Sequence, residues 1–410
     1  MSAPNNVAAH DDQIGALFEN LRVSTALLHA DHHLVASPVA PDISLTTSED
    51  PPSVKGDLNQ DLQKPEYHIY SRYTQPVSTR AEAVLSKILN GQALTYRSGL
   101  SAAYAAIIHY QPKRLAIRAG YHGVHQILKI HKRSVPSFEV IDIDDKLQEG
   151  DLLWVETPLN PTGEARNLEH YVQQAHAVGA KILVDATFSP PPLADPFKFG
   201  VDCILHSGSK YFGGHSDLLC GVLAVPTVAE WNELWSDRTY LGTALGSLEA
   251  YLLLRSLRTL KVRVLAQSTT ATALAGWLDE LSKVPAGQEL DGVPGGVVVK
   301  VMHTSLQAKT EPWVAAQHPG GYNPCFSICT STARYAKELP FKLQLFTAAT
   351  SLGGVESLME QRYMSDPGED PKLLRLSIGL EDLEDLKADF KQAITAILKV
   401  RHPVTPRGVV

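Results

Sequence analysis

The sequence predicts an α/β protein, a doubly wound and mostly parallel sheet followed by a smaller C-terminal α+β domain. Three observations predict it. Between about residues 80 and 225, short apolar runs alternate with helical stretches, the pattern of parallel strands joined by crossover helices. After about residue 240 that alternation stops, and a long helical stretch leads into scattered strands and a terminal amphipathic helix. Upstream of both, a polar and Pro-rich stretch, SPVAPDISLTTSEDPPSVKGD, reads as an arm without a core. The expected organisation is an N-terminal arm over 1–65, a large α/β domain over 66–245 and an α+β domain over 246–410.

Taken in order, RAEAVLSKIL (80–89) has helical periodicity, and GLSAAYAAIIHY (99–110) is a small-residue helix opened by a glycine turn. RLAIRA (114–119) reads as a buried strand, HGVHQILKIHKR (122–133) as a helix and FEVIDI (138–143) as a strand. DLLWVETP (151–158) is a strand stopped by proline, and LEHYVQQAHAVGA (168–180) is a helix ending near glycine. KILVDA (181–186), DCILHS (202–207) and CGVLAV (220–225) are short apolar strands. In the second domain, residues 247–282 read as one long helix, GGVVVKVM (295–302) and CFSICT (325–330) as strands, and 381–398 as the terminal helix.

Composition narrows the function classes. Of 410 residues, 44% are apolar and 20% charged, an ordinary balance for a globular chain with a large core. A net charge of −7 argues against a nucleic-acid binder, which needs a basic face. Four cysteines (203, 220, 325 and 329) are too few for a disulfide-stapled secreted fold, and their spacing lacks the second ligand pair of a zinc site. No apolar run reaches membrane-spanning length and the N-terminus lacks the features of a signal peptide. A reducing cytoplasm, no membrane and no metal are therefore expected.

The stretch LHSGSKYFGGHSD (205–217) holds the residue on which function turns, Lys210. It does not fit G-x-x-x-x-G-K-[ST], so it is no phosphate-loop lysine. Ser207-Gly208-Ser209-Lys210 matches the S-x-x-K of penicillin-binding enzymes, but the S-D-N and K-T-G companions are missing and YFGG is a poor helix. A lysine at the carboxyl end of a strand in a doubly wound sheet sits where such folds hold ligands, and partial desolvation helps it reach the neutral amine of a Schiff-base lysine. Pyridoxal phosphate (PLP) further needs an acid for its pyridine nitrogen, a ring to stack on and donors for its phosphate. Asp185, at the end of KILVDA, is the candidate acid; alone it would read equally well as a turn or helix-cap residue.

Four blocks, VETPLNPTGEARNL, VDATFSPP, HSGSKYFGGHSD and TSLGGVESL followed by LLRLSIGLEDLEDLKAD, carry a definite resemblance. In order and over about 70–395, the chain is similar to the Cys/Met-metabolism family of PLP enzymes, which includes cystathionine γ-synthase, cystathionine and methionine lyases and O-acetylhomoserine sulfhydrylases. The resemblance implies a type I PLP-dependent transferase fold with PLP as cofactor. Lys210 would hold PLP and move protons, Asp185 would pair with the pyridinium, Asn160 would bond the 3-oxygen, Thr187 would flank the ring and Tyr121 would stack on it and assist the leaving group. Ser98, Gly99 and Leu100 would form a phosphate-binding turn, joined by the hydroxyls of Ser207 and Ser209. Tyr70 and Arg72, in YSRYTQP, would reach a second copy's phosphate, which implies a homodimer or homotetramer. Arg375, with Ser351 beside it, would clamp the substrate α-carboxylate.

The cofactor motifs do not separate replacement from elimination, but departures from the family pattern bear on substrate. Where relatives commonly read Tyr-Gly-Gly-Thr-Tyr-Arg, this chain has Tyr121-His122-Gly123-Val124-His125-Gln126, so a position for meeting a distal carboxylate is neutral. Ala186 stands where asparagine is common, and EQRYMSDPGED (360–370) replaces HPAxMTH. The expectation is γ-replacement on an O-acyl-L-homoserine with a sulfur or carbon nucleophile in secondary metabolism. The alternative is a β- or γ-lyase acting on cystathionine or methionine. A non-enzymatic relative is disfavoured because Lys210, Asp185, Tyr121 and Arg375 are all present.

Overall fold

Apolar runs of about five residues, too short for stable helices, become strands once helices cover both their faces. The computed structural model describes residues 21–34, 40–48 and 68–399, so most of the arm expected over 1–65 lies outside the described residues. Among the described residues, those up to Thr157, together with Arg166–Leu265 and Ala316–Gly321, form one unit; Pro158–Ala165, Ala266–Ala315 and those from Tyr322 onward form a second.

The first unit contains α1 (Val23–His29), α2 (Pro76–Leu89), β1 (Gln92–Tyr96), α3 (Gly99–Tyr110), β2 (Arg114–Ala116), α4 (His122–Ser134), β3 (Glu139–Ile141), β4 (Leu152–Glu156), α5 (Leu168–His176), β5 (Lys181–Asp185), β6 (Cys203–Ser207), β7 (Gly221–Val225), α6 (Val228–Leu241) and α7 (Ser247–Leu257). Its seven strands lie in the order β1-β7-β6-β5-β4-β2-β3. The β2–β6 strands pair in parallel, whereas β7 runs against both β6 and β1. Every position of β4 (LLWVE) is buried, as a strand covered on both faces requires. Leu94, Trp154, Leu183, Leu205 and Leu223 from five strands share one core with Ala105 and Ile107 of α3 and Leu128 of α4.

The second unit carries a five-stranded sheet, preceded by a small hairpin of β8 (Glu289–Leu290) and β9 (Val293–Pro294). Its strands are β10 (Val298–Met302), β11 (Cys325–Thr330), β12 (Thr347–Ala348), β13 (Leu358–Gln361) and β14 (Leu373–Ser377), in the order β10-β11-β14-β13-β12. Phe326, Ile328, Leu374 and Leu376 of this sheet pack with Leu274 and Leu278 of α8 (Leu260–Ser282) and with Phe390 and Ile394 of the terminal helix, Leu383–Lys399.

Four local readings are corrected. The strand expected over 114–119 ends at Ala116, because Ala119 and Gly120 take positive φ (55° and 87°) and turn the chain into Tyr121. The strand over 138–143 shrinks to Glu139–Ile141, which pairs with β2 alone at the sheet edge. The single helix over 247–282 is broken between α7 and α8, where the Ser256 carbonyl is taken by the Thr259 N–H (3.2 Å), the Thr259 hydroxyl (3.2 Å) and Arg263 Nη2 (3.0 Å). Finally β1 (QALTY) escaped the reading, since two polar residues and one β7 partner give it no apolar signature. Among the described residues no helix is long and apolar enough to cross a membrane.

Asp31, just past α1, is fully buried and ties this helix to the rest of the first unit. Its Oδ2 accepts from Arg80 Nε (2.7 Å) and Arg258 Nη2 (2.8 Å), and its Oδ1 accepts from Arg258 Nη1 (2.9 Å). Burial by itself would raise the carboxyl pKa, but the hydrogen bonds from Arg258 and Arg80 outweigh it, so Asp31 sits below the ordinary carboxylate value. Its contribution to stability is therefore complete above the unfolded value and is lost as pH falls through the lowered folded value. Replacing it strands two guanidiniums, one of them buried. We predict that Asp31→Asn lowers unfolding free energy by about 3 kcal/mol at neutral pH, read by denaturant titration, and that the gap to wild type narrows as the solution is acidified.

Candidate active site

Parallel strands deliver their carboxyl ends to one edge of the first-unit sheet, where α/β proteins place ligands. The register sets Glu156 opposite Asp185 and Asp185 opposite Leu205. Antiparallel β7 begins at the same edge, with Gly221 paired to both Ser207 and Tyr96. A Cβ on Gly221 would strike the Ser98 carbonyl, so only glycine lets the turn after β1 close against β7. Lys210 follows the end of β6 and is half-buried. Its N–H donates to the Ser207 carbonyl (3.1 Å) and its own carbonyl accepts from the Gly214 N–H (2.7 Å). Arg263 Nη1 donates to the next carbonyl, that of Tyr211, at 2.9 Å. The lysine backbone is thus held by a closed turn.

Asp185, Thr187 and Ser207 form a continuous run. The Asp185 Oδ1 accepts from the Thr187 N–H (3.0 Å) and hydroxyl (2.6 Å), and the Thr187 Oγ1 accepts in turn from the Ser207 N–H (2.9 Å). Asp185 is 6% exposed, and no described cation forms an ion pair with it. Burial pushes its carboxyl up to about 6, even though both hydrogen bonds from Thr187 favour the ionised form.

Beside this run, Ser98 caps α3, its hydroxyl accepting from the Ser101 N–H at 3.1 Å. The N–H groups of Gly99 and Leu100 find no acceptor among the described residues, and a Cβ on Gly99 would lie 3.3 Å from the Ser207 side chain. Two orphan donors at a helix N-terminus, next to a serine hydroxyl, suit a phosphate. Ser209 is differently placed. Its hydroxyl is engaged by the backbone of Cys220, with the N–H at 2.9 Å and the carbonyl at 3.4 Å. Tyr121 opens α4 and is 40% exposed; its N–H donates to Glu156 Oε2 at 2.7 Å. Arg72 is not drawn to this cluster within one chain. Its guanidinium stacks on Tyr70 (5.3 Å) and Tyr73 (5.1 Å) and donates to the Thr239 carbonyl.

The second unit gathers the remaining named residues around Arg375. Its Nη1 donates to Asn160 Oδ1 (2.9 Å), and its Nη2 donates to the Ser351 carbonyl (3.0 Å) and to Glu360 Oε2 (2.9 Å). Ser351 offers its carbonyl from a positive φ of 93°. Arg375 and Asn160 are both about nine-tenths buried or more. Sequence reading missed Glu156, Glu360 and Arg362. The signal for the first two was a lone carboxylate within or at the end of an apolar strand, in LLWVE and SLME.

With this geometry in hand, comparison with known proteins is decisive. The model of the Cys/Met metabolism PLP-dependent enzyme family matches residues 24–395. The chain belongs to that family. It is 31% identical over 411 residues to a cystathionine gamma-lyase of Saccharomyces cerevisiae, covering 92% of this chain and 98% of that one. It is 30% identical over 356 residues to a cystathionine gamma-synthase of Mycobacterium tuberculosis, covering 79% and 86% respectively. The crystal structure of metB from Corynebacterium glutamicum superposes with a TM-score of 0.81 at 26% identity, covering 93% of this chain and 99% of the other. The protein is therefore a PLP-dependent enzyme of the cystathionine synthase and lyase type, with the type I fold.

The residues present fit PLP. Asp185 is a buried carboxylate with no cation paired to it among the described residues, a need that a pyridinium N–H would meet, and the orphan N–H pair of Gly99 and Leu100 suits a phosphate. A raised Asp pKa means that, without cofactor, stability is fully present below the unfolded value of 3.8 and is lost as pH rises through about 6. We predict that the cofactor-free protein melts lower at pH 7 than at pH 5 by a margin that Asp185→Asn reduces. Thermal scans of both proteins at the two pH values provide the check, and PLP should raise the pH 7 melting temperature of wild type alone.

Proposed function

We propose that this enzyme catalyses γ-replacement on an O-acyl-L-homoserine, with a thiol or a carbon acid as nucleophile. The observation that carries the reading is Gln126. It lies exposed on α4, where the family commonly has an arginine, and offers no charge to a distal carboxylate. That favours a small neutral ester such as acetyl over a dicarboxylic one, and disfavours cystathionine, whose distal half is itself an amino acid. The diverged segments around Ala186 and 360–370 support a substrate outside the housekeeping pair and a role in secondary metabolism.

In this reading Lys210, Asp185, Asn160 and Thr187 hold the cofactor ring, while Ser98, Gly99, Leu100 and Ser207 hold its phosphate; Ser209, whose hydroxyl bonds the Cys220 backbone, braces the turn beside them. Bound PLP supplies an electron sink that acidifies the substrate hydrogens at Cα and then at Cβ. Lys210 carries those protons. Tyr121, exposed at the start of α4, meets the departing oxygen at Cγ. Arg375 takes the α-carboxylate with the planar fork that suits bidentate recognition. The net change breaks the Cγ–O bond, forms a Cγ–S or Cγ–C bond, and releases the acyl group as its carboxylate with the nucleophile's proton. Tyr70 and Arg72 serve a second copy's phosphate, so that a homodimer is the smallest active assembly and a homotetramer is a pair of them. The expected compartment is the cytoplasm.

Incubating the enzyme with O-acetyl-L-homoserine and a thiol should give the thioether and acetate in equal amounts. Formation of 2-oxobutyrate and ammonia at a rate indifferent to thiol would establish the lyase instead. Lys210→Ala should remove the yellow absorbance of the bound cofactor and lower turnover by roughly a thousandfold or more.

A further inference from the structure

The segment EQRYMSDPGED (360–370) begins with a carboxylate that the clamp assigned to Arg375 must contend with. Antiparallel pairing of β13 and β14 sets Glu360 opposite Arg375. Glu360 Oε2 accepts from Arg375 Nη2 at 2.9 Å and from Arg362 Nη1 at 3.0 Å, and its Oε1 accepts from the Ser365 hydroxyl at 2.5 Å. Glu360, Arg362 and Arg375 are 9%, 4% and 5% exposed. Arg362 Nε is buried and has no hydrogen-bond partner among the described residues. Two guanidiniums therefore share one carboxylate. Glu369 lies in the field of both, yet forms no ion pair or hydrogen bond with either, and burial raises its carboxyl pKa despite their attraction.

A carboxylate 2.9 Å from Arg375 competes directly with a substrate carboxylate for that guanidinium. With Arg375 as its sole partner, Glu360 would neutralise it, and a second anion would find no net charge. With Arg362 sharing Glu360, one positive charge is left over. We propose that Arg362 is a positioning residue for amino-acid recognition, drawing Glu360 into a shared ion pair so that Arg375 keeps its charge for the substrate α-carboxylate. The inference rests on the role given to Arg375 above.

The test titrates the holoenzyme with L-norvaline, which has no γ-leaving group, and with L-norvalinamide, which lacks the carboxylate, following the visible spectrum of the bound cofactor. Wild type should prefer the acid. Arg362→Met should weaken the acid on the order of tenfold and leave the amide unchanged, while Arg362→Lys keeps most of the preference. Adding Glu360→Gln to Arg362→Met should restore the acid. If Arg362→Met leaves the acid-to-amide ratio intact while Arg375→Ala abolishes it, the role of Arg375 stands and our inference is wrong. If Arg375→Ala leaves the ratio intact, the role of Arg375 fails and takes the inference with it. Should Arg362→Met alone fail to fold, the double variant is compared with Glu360→Gln. The two should bind the acid equally, and weaker binding by the double variant would overturn the inference.

Discussion

The hydrogen-bonded run from Asp185 through Thr187 to Ser207 is the constraint that organises the first unit. Asp185 ends β5 and Ser207 ends β6, and the Thr187 hydroxyl donates to one and accepts from the other. A hydroxyl does both at a single atom without adding charge. Valine, of nearly the same shape, would leave the Ser207 N–H without this acceptor and Asp185 with one donor fewer. Because Ser207 leads directly into the turn of Lys210, the position of the lysine depends on how Thr187 is placed. The glycine at 221 completes the arrangement by letting the Ser98 turn approach the same strand ends.

This economy explains why a carboxylate is tolerated in an apolar setting. Burying Asp185 without a cation costs free energy, and the rise of its pKa to about 6 expresses that cost. In the proposed role of Asp185, the cofactor's pyridinium would supply a cation here, and the cost of burial in the cofactor-free chain would become affinity in the loaded one. Asp31 shows the contrast. It is buried just as deeply, but two arginines meet it, and its pKa moves down. Among the described residues, Asp31 has arginine counter-ions where Asp185 has only the hydrogen bonds of Thr187, and the two pKa values move in opposite directions.

Much of this was legible from sequence because strand ends are legible. Apolar runs halted by a polar residue placed Asp185 and Ser207 at strand ends, and a glycine turn placed Ser98 and Gly99 at a helix start, while their roles toward a cofactor came from the family resemblance. What escaped depended on partners distant in the chain. The break between α7 and α8 arises where Arg263 and Thr259 compete for one carbonyl, which no periodicity discloses. The short β1 has no apolar pattern of its own and exists because β7 lies beside it. Ser209, which the resemblance sets beside the phosphate, is also engaged by the backbone of Cys220 at the hairpin return, a contact no local pattern discloses.

The Arg375 cluster sharpens the same lesson. Arg375 and Asn160 lie 215 positions apart, and Glu360 meets Arg375 only because β13 and β14 pair in one register. A shift of one residue would turn Glu360 to the opposite face of the sheet and leave a buried guanidinium uncompensated. Backbone register, rather than any local motif, therefore decides how much charge Arg375 retains. In the proposed role of Arg375, a chain that keeps this arginine would still alter how it meets an anion by changing the residue two places along from its strand neighbour. Arg362 is such a residue, and it lies in a segment where this chain departs from the pattern it otherwise follows.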